Sequence, residues 1–159
     1  MAVKHIPDGY HTVTPYLICR GAAQALDFYK EAFGATEVLR MPMPDGSVAH
    51  AEFKIGDSII MMGEENPMWD AKSPQALGGT PAGLMIYVPD CDAVFAQALA
   101  AGATVKKPMA DQFYGDRSGT VTDPFGHQWT VATHVEDVEP AELQKRMDAM
   151  AAQMSQGAA

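Results

Sequence analysis

The sequence predicts an α+β fold built from two similar modules, each with the order strand, helix and three strands. Segments typical of these elements follow one another twice along the chain of 159 residues. The helix-to-strand junctions also share a local sequence, FGAT at 33–36 and AGAT at 101–104. Because internal repeats determine architecture, this similarity indicates a duplicated unit.

The first module is predicted at about residues 12–65. Its strands, rich in β-branched and aromatic residues, are predicted at 12–19, 36–41, 48–55 and 58–62. Residues 22–33 have helical spacing, and Gly34 provides a stop signal just beyond them. The apolar stripe of this helix contains Ala25, Leu26, Tyr29, Ala32 and Phe33. Asp45-Gly46 is a strong hairpin signal between the second and third strands.

A linker or lid at 66–82 is expected next, because this segment is rich in proline and glycine and has little periodicity. The second module is predicted at about 83–135. Its strands are predicted at 83–88, 104–107, 118–122 and 128–133, with a helix at 91–101. The modules and linker together make a single domain over 1–137, followed by a C-terminal helix and tail at 138–159.

The terminal helix has an apolar stripe at helical spacing. Its members are Leu143, Met147, Met150 and Met154. We expect this stripe to pack on the body of the protein or on a second subunit.

Composition and charge limit the partners and the location that we expect for the protein. The net charge of −9, from 20 acidic and 11 basic residues, disfavours binding to nucleic acid and to anionic membranes. Cys19 and Cys91 lack the spacing of a disulfide framework and fit a reducing compartment. The N-terminus shows no secretory signal, and no apolar run is long enough to span a membrane. A cytoplasmic protein is therefore expected.

Three stretches of the chain resemble a known family. They are TPYLICRGAAQALDFYKEAFGA, DGSVAHAEFKIGDSIIMMGEE and YGDRSGTVTDPFGHQWTVATH. Over roughly residues 13–138 the sequence resembles the PhnB-like branch of the vicinal oxygen chelate superfamily, which includes glyoxalases, bleomycin-resistance proteins and dioxygenases. The resemblance implies that the two modules form a curved mixed sheet, with helices on the outer face and a ligand in the concave cup.

The resemblance also implies where a divalent metal would bind. Metal-using members take their ligands from the first and last strands of each module. The corresponding positions here are Thr14, Ile60 or Met61, Leu84 and Thr130. None of them is a histidine or a carboxylate, which are the protein ligands expected for such an ion. No cofactor is therefore expected.

Strand alternation predicts which side chains enter the cup. In 48–55, Ala51 and Phe53 belong to an apolar face, so His50 and Glu52 should lie on the opposite face. A buried carboxylate needs a partner, and both His50 and Arg117 are candidates. The predicted ligand-binding residues are Thr14, Tyr16, His50, Glu52, Ile86, Arg117, Thr122, Thr130 and His134. The parity of the strands also places Leu84 toward the cup.

Three functions remain open at this point. The favoured hypothesis is a protein that binds a small, partly aromatic organic molecule in the cup, without the usual metal. The alternative is an atypical superfamily enzyme of isomerase, lyase or dioxygenase type, with His50 and Glu52 as candidate catalytic residues. An atypical metal site of these two residues with His127 or His134 belongs to this alternative. A third hypothesis is a structural or regulatory interaction module. A homodimer is expected in each case.

Overall fold

The protein folds as two βαβββ modules, which confirms the predicted fold class. The computed structural model describes residues 3–156. The first module contains β1 (Tyr16–Cys19), α1 (Ala22–Phe33), β2 (Thr36–Pro42), β3 (Val48–Ile55) and β4 (Ser58–Glu64). The linker contains a 3-10 turn (Pro67–Trp69) and the short helix α2 (Pro74–Leu77). The remaining elements are β5 (Gly83–Tyr87), α3 (Cys91–Ala100), β6 (Thr104–Asp111), β7 (Asp116–Thr122), β8 (Gln128–His134) and α4 (Pro140–Gln156).

The eight strands form two four-stranded sheets instead of one continuous sheet. Their orders are β1-β4-β3-β2 and β5-β8-β7-β6, so the second sheet repeats the topology of the first. In each sheet the first and last strands of the module run parallel, and the other neighbours run antiparallel. This repetition is the structural counterpart of the repeated junction sequence.

Helix α1 forms where the sequence has apolar residues at helical spacing. Its buried residues are Ala22, Ala25, Leu26, Phe28, Tyr29 and Ala32. Gly34 ends the helix at a φ of 65°, a left-handed conformation that glycine adopts without steric cost, and its N–H donates to the carbonyl of Lys30. The predicted start and end of α1 agree with the structure.

One hydrophobic core joins the two modules. Helices α1 and α3 contact one another, and each packs on one face of its own sheet. Tyr29 of α1 stacks on Phe53 with ring centroids 4.8 Å apart, and its ring lies 5.2 Å from that of Trp129 in β8. We call the other face of each sheet, which these two helices leave uncovered, its open face.

Two strands differ from their predicted bounds by four residues, and each difference lies next to a proline, Pro15 before β1 and Pro108 within β6. β1 begins at Tyr16 instead of residue 12, so Thr14 lies in the arm before the strand. β6 continues to Asp111 although Pro108 lies within it. Because β6 is an edge strand with shifts in its pairing register, a residue without an N–H is tolerated there.

Among the described residues, no helix is long and apolar enough to cross a membrane.

Candidate functional site

The open face of the first sheet carries His50 and Glu52. Both lie on β3, where Ala51 and Phe53 are completely buried in the core. Since successive side chains of a strand point to opposite faces, His50 and Glu52 lie on the other side of the sheet. The pairing register places Glu52 next to Met61 of β4, and Met61 next to Tyr16 of β1. The predicted orientation of β3 is therefore confirmed.

Four side chains on this face form a continuous hydrogen-bonded network. Glu52 is only 8% exposed and accepts a hydrogen bond from the hydroxyl of Tyr10. His50 Nε2 lies 3.1 Å from Glu52 Oε1, and His50 Nδ1 lies 3.0 Å from the hydroxyl oxygen of Tyr16. All these groups are satisfied when Nε2–H donates to the carboxylate and Nδ1 accepts from Tyr16. We call Tyr10, Tyr16, His50 and Glu52 the open-face network.

The network keeps Glu52 ionised. Burial alone would raise the pKa of Glu52, but hydrogen bonds from Tyr10 and His50 outweigh it and hold the pKa below its usual value. The same bond raises the pKa of Tyr10 to about 12, because the phenol is held beside a negative charge. Glu52 is thus an acceptor of hydrogen bonds at neutral pH, and its proton affinity is low.

A glycine makes room for this arrangement. Gly63 lies two residues beyond Met61 on β4, on the same face of the sheet. A Cβ atom at this position would lie 2.9 Å from the carbonyl oxygen of Ala49 and 3.2 Å from the hydroxyl of Tyr16. Only glycine therefore lets the Tyr16 ring lie close enough for its hydroxyl to reach His50.

A second polar network lies at the end of the second sheet. Asp116 is 4% exposed and accepts from the hydroxyl of Tyr87 at 2.8 Å. Its other oxygen lies 2.8 Å from His134 Nδ1, and His134 Nε2 lies 3.0 Å from Asp137. These two carboxylates raise the pKa of His134. The ligand candidate His134 is thus paired within its own module, far along the chain from the open-face network.

The positions implied for a metal do not fit a divalent ion. Thr14 lies in the N-terminal arm, where its hydroxyl donates to the carbonyl of His11 at 3.3 Å. Ile60 is buried and Leu84 packs against the core, whereas Met61 and Thr130 lie on the open faces. Within residues 3–156, no group of three or more His, Cys, Asp or Glu side chains could hold a metal ion.

The expected third ligands are also elsewhere. His127 is 8% exposed, and its Nε2 lies 3.0 Å from the carbonyl oxygen of Ile18 at the junction of the modules. The structure therefore does not bring His127 or His134 to the His50–Glu52 pair.

Arg117 is held by two carboxylates of its own module. It donates twice to Asp92 of α3 at 2.7 Å and once to Asp111 of β6 at 3.0 Å. The interpretation of Arg117 as a partner of Glu52 is therefore wrong, and His50 has that role. Since both counter-charges come from the chain, the guanidinium pins α3 to the sheet.

The predicted orientation of Leu84 and Ile86 is wrong. The register pairs Leu84 with Trp129 and Ile86 with Val131, and both partners are completely buried on the helix-covered face. Strand β5 has apolar residues on both faces, so hydropathy did not determine which face meets the helices. The side chains of β5 on the open face are those of Met85 and Tyr87. Met85 pairs with Thr130, and Thr122 lies on the same face two residues beyond Thr120 of β7.

An apolar cavity lies apart from the open-face network. It measures about 530 Å³ and lies between the N-terminal arm, the turn between β3 and β4, and strand β5. Val13, Ile59, Ile86, Tyr87 and Trp129 are among the residues that line it. Neither His50 nor Glu52 lines it, so the cavity and the network are separate features of the molecule.

Comparison with known proteins identifies the family. The sequence model of the Glyoxalase/Bleomycin resistance protein/Dioxygenase superfamily matches residues 9–131. The chain belongs to this superfamily. An uncharacterized protein of Mycobacterium bovis is 44% identical over 138 residues, which are 85% of this chain and 91% of that protein. An uncharacterized protein of Mycobacterium tuberculosis H37Rv is also 44% identical over 138 residues, covering 85% and 81% of the two chains.

Several solved structures share the fold of this chain. TioX from Micromonospora sp. ML1 is 26% identical with a TM-score of 0.62, covering 81% of this chain and 100% of TioX. A gene product of Arabidopsis thaliana is 26% identical with a TM-score of 0.63, covering 77% and 98%. A Bacillus cereus structure named as a putative 3-demethylubiquinone-9 3-methyltransferase, PhnB protein, is 20% identical with a TM-score of 0.59, covering 77% and 99%. This last likeness concerns the fold alone.

Two residues were missed by the sequence analysis, Tyr10 of the open-face network and Gly63, which makes room for it. Tyr10 reaches Glu52 across 42 positions from an arm without periodicity, so no local pattern pointed to it. For Gly63 a signal exists, because an isolated glycine inside a strand often marks a close approach of other atoms.

Proposed function

We propose that the protein binds a small organic molecule on the open face of its first sheet, as a PhnB-like member of the superfamily. The observation that carries the proposal is the ionised, nearly buried Glu52 within the open-face network. Met61 and the half-exposed Tyr16 lie beside it. A few oriented polar groups among apolar side chains are typical of small-molecule sites.

The chemistry of the network favours a ligand with a hydrogen-bond donor on an apolar or aromatic body. The Glu52 carboxylate accepts hydrogen bonds. An amine or a hydroxyl of the ligand would therefore donate to it, either in place of the Tyr10 hydroxyl or in addition to it. Tyr10 belongs to the N-terminal arm, and its backbone N–H donates to the carbonyl of Pro7. Rearrangement of this arm would admit the ligand without disturbing the strands of the sheet.

Arylalkylamines such as tyramine are suitable probes for this proposal. We expect Glu52→Gln to weaken tyramine binding about tenfold, because the charge-assisted hydrogen bond is lost. Glu65→Gln removes a carboxylate outside the network and should leave the affinity unchanged. Isothermal titration calorimetry gives the affinities. Equal affinity of the Glu52→Gln and wild-type proteins, with a lowered melting temperature for the variant, would assign Glu52 a purely structural role.

We also propose that binding does not require a divalent metal. The unsuitable side chains at the four implied metal positions support this. Elemental analysis of protein purified without chelator should find much less than one equivalent of zinc, nickel, iron or manganese. A stoichiometric metal held by side chains of either open face would contradict it.

An atypical enzyme is the second candidate function, and the His50–Glu52 pair at 3.1 Å is the observation that favours it. A carboxylate–histidine pair can orient the imidazole for proton transfer. The lowered pKa of Glu52 makes it a weak base, which favours binding over catalysis. Turnover of a bound compound that is lost in His50→Gln, with binding retained, would establish the enzyme instead.

A homodimer in the cytoplasm completes the proposal. The half-exposed Met41, Met85 and Tyr87 support pairing, as do Met147 and Met154 of α4. Cys19 and Cys91 are free thiols, which agrees with a reducing compartment. Light scattering at micromolar concentration should give the mass of a dimer, and the mass of a single chain would contradict it.

A further inference from the structure

A small polar pocket lies on the open face of the second sheet. It measures about 120 Å³ and is separate from the large apolar cavity. The residues that line it are Lys107, Gln112, Tyr114, Ser118, Gly119, Thr120 and Thr130. This volume is too small for a whole drug-sized ligand, which needs roughly 300–1,000 Å³, but it suits a single functional group.

The pocket has one formal charge, and that charge is positive. Lys107 is the only lysine, arginine or carboxylate among the described residues that line it. Lys107 forms no ion pair with any described residue, although the chain carries 20 acidic side chains. The nearest carboxylates along the chain already have partners, because Asp111 binds Arg117 and Asp116 binds His134.

A bulge in β6 places Lys107 at this pocket. Val105 pairs with Val121, and the next pair is Lys107 with Thr120, so one extra residue is inserted in β6 between the two pairs. Bulges of this kind redirect side chains and often lie next to functional sites. As a result Lys107, and not its neighbour Lys106, stands opposite Thr120 and lines the pocket.

Hydroxyl groups provide the remaining donors. Thr120 Oγ1 and Thr130 Oγ1 lie 2.9 Å apart, so one donates to the other and one hydroxyl hydrogen remains free. Ser118 is 3% exposed, and its hydroxyl makes no hydrogen bond to a described residue. Because no buried side-chain oxygen or nitrogen of the described residues lacks a partner, this hydroxyl must be accessible from the pocket. Gln112 is not a free donor, since its amide holds the carbonyls of Ala110 and Ser118.

We propose that this pocket binds an oxyanion, either a carboxylate or a phosphate group. An oxyanion is bound by hydrogen-bond donors and by positive charge. The pocket offers the ammonium group of Lys107 and several hydroxyl donors, and none of the residues that line it is acidic. The inference concerns the second module and does not depend on the function proposed for Glu52 in the first. It would give the two open faces opposite preferences, one for hydrogen-bond donors and one for anions.

Titration of ¹⁵N-labelled protein with inorganic phosphate, and separately with acetate, tests the proposal. At constant ionic strength, set with sodium chloride, we expect saturable shifts of the amide signals of Ser118, Gly119, Thr120 and Thr130. Saturation by phosphate alone would identify the anion as a phosphate, and saturation by acetate would extend it to carboxylates. Shifts that do not saturate with either anion would overturn the proposal.

Matched variants locate the site. Lys107→Met should weaken the binding about tenfold or more, because the charged donor is lost, whereas Lys106→Met should leave it unchanged. Thr130→Val keeps the shape but removes a hydroxyl, and should weaken binding less. Dispersed amide spectra of each variant confirm folding. If Lys106→Met and Lys107→Met weaken anion binding equally, the effect comes from the net charge of the protein, and the proposal that the anion binds in this pocket is overturned. Glu52→Gln should not change phosphate or acetate binding.

Discussion

At the scale of single residues, buried carboxylates determine the polar organisation of both open faces. Glu52 and Asp116 are 8% and 4% exposed, and each has a tyrosine hydroxyl and a histidine nitrogen as partners. A buried carboxylate without partners would cost several kcal/mol, so these partners explain why acidic residues are tolerated within the strands. The two carboxylates lie at different positions in their modules, Glu52 on β3 and Asp116 at the start of β7.

His134 should make the stability of the protein depend on pH. Asp116 and Asp137 raise its pKa in the folded state, so its charged form stabilises the fold below the ordinary histidine pKa of about 6.5. This contribution is lost as the pH rises through the raised value. Urea unfolding should therefore show a larger difference between wild type and His134→Gln at pH 5.5 than at pH 8.5. A difference that does not change with pH would contradict the ion pair.

At the scale of secondary-structure elements, the open-face network depends on Gly63 of β4, which has no Cβ atom. Tyr16 of β1 reaches His50 of β3 across the intervening strand β4, and it does so over Gly63. A backbone carbonyl limits the space on one side of this glycine and an aromatic side chain limits it on the other. The polar contact between β1 and β3 therefore depends on β4, which contributes no polar side chain to it.

Gly63→Ala should lower the free energy of unfolding by about 1–3 kcal/mol, because the added methyl overlaps the carbonyl of Ala49. It should also displace Tyr16 from His50, visible as a change in the chemical shifts of the His50 ring. Gly83→Ala is the matched control in β5, since the nearest atom to its added Cβ is at 3.9 Å. Equal stability of the two variants would show that β4 can adjust.

At the scale of the whole molecule, the two modules are joined by a buried polar cluster. Asp123 lies in the turn between β7 and β8, and its carboxylate accepts from the hydroxyl of Tyr29 at 2.8 Å and from the indole N–H of Trp129 at 2.9 Å. It also accepts from the backbone N–H groups of Phe125 and His127. Residues of two of the stretches quoted above for the family resemblance, Tyr29 in the first and Asp123 and Trp129 in the third, thus meet at the module junction.

Asp123→Ala should therefore destabilise the protein strongly. The hydroxyl of Tyr29 and the indole of Trp129 would each lose a buried acceptor, at a cost of about 1–3 kcal/mol per group. We expect a loss of about 2–6 kcal/mol in the free energy of unfolding, measured with urea. Asp148→Ala on the exposed face of α4 is the control and should change stability by less than about 0.5 kcal/mol. A loss of similar size in both variants would argue against the cluster.

The sequence predicted the architecture and the orientation of β3 because these depend on strong local patterns. Alternation in β3 is unambiguous, since one face holds Ala51 and Phe53 and the other holds His50 and Glu52. In β5 both faces are apolar, and there the prediction for Leu84 and Ile86 failed.

The remaining parts of the candidate sites depend on contacts that no local pattern encodes. The bond between Tyr10 and Glu52 spans 42 positions, and the placement of Lys107 depends on a bulge next to a proline. Chain connectivity and pairing register decide both features. Hydropathy and spacing therefore predicted three of the four residues of the open-face network, Tyr16, His50 and Glu52, and could not predict Tyr10, which contacts Glu52 from the N-terminal arm.

The positions of the two tryptophans give the chain its own optical reporter. Trp129 is completely buried at the module junction, whereas Trp69 in the linker is 67% exposed. In Trp69→Phe the remaining emission comes from Trp129, and a shift to longer wavelength would signal water entering between the modules. Combined with circular dichroism, this emission distinguishes separation of two intact modules from cooperative unfolding of the whole chain. The contact that unites the fold can thus be followed without any added label.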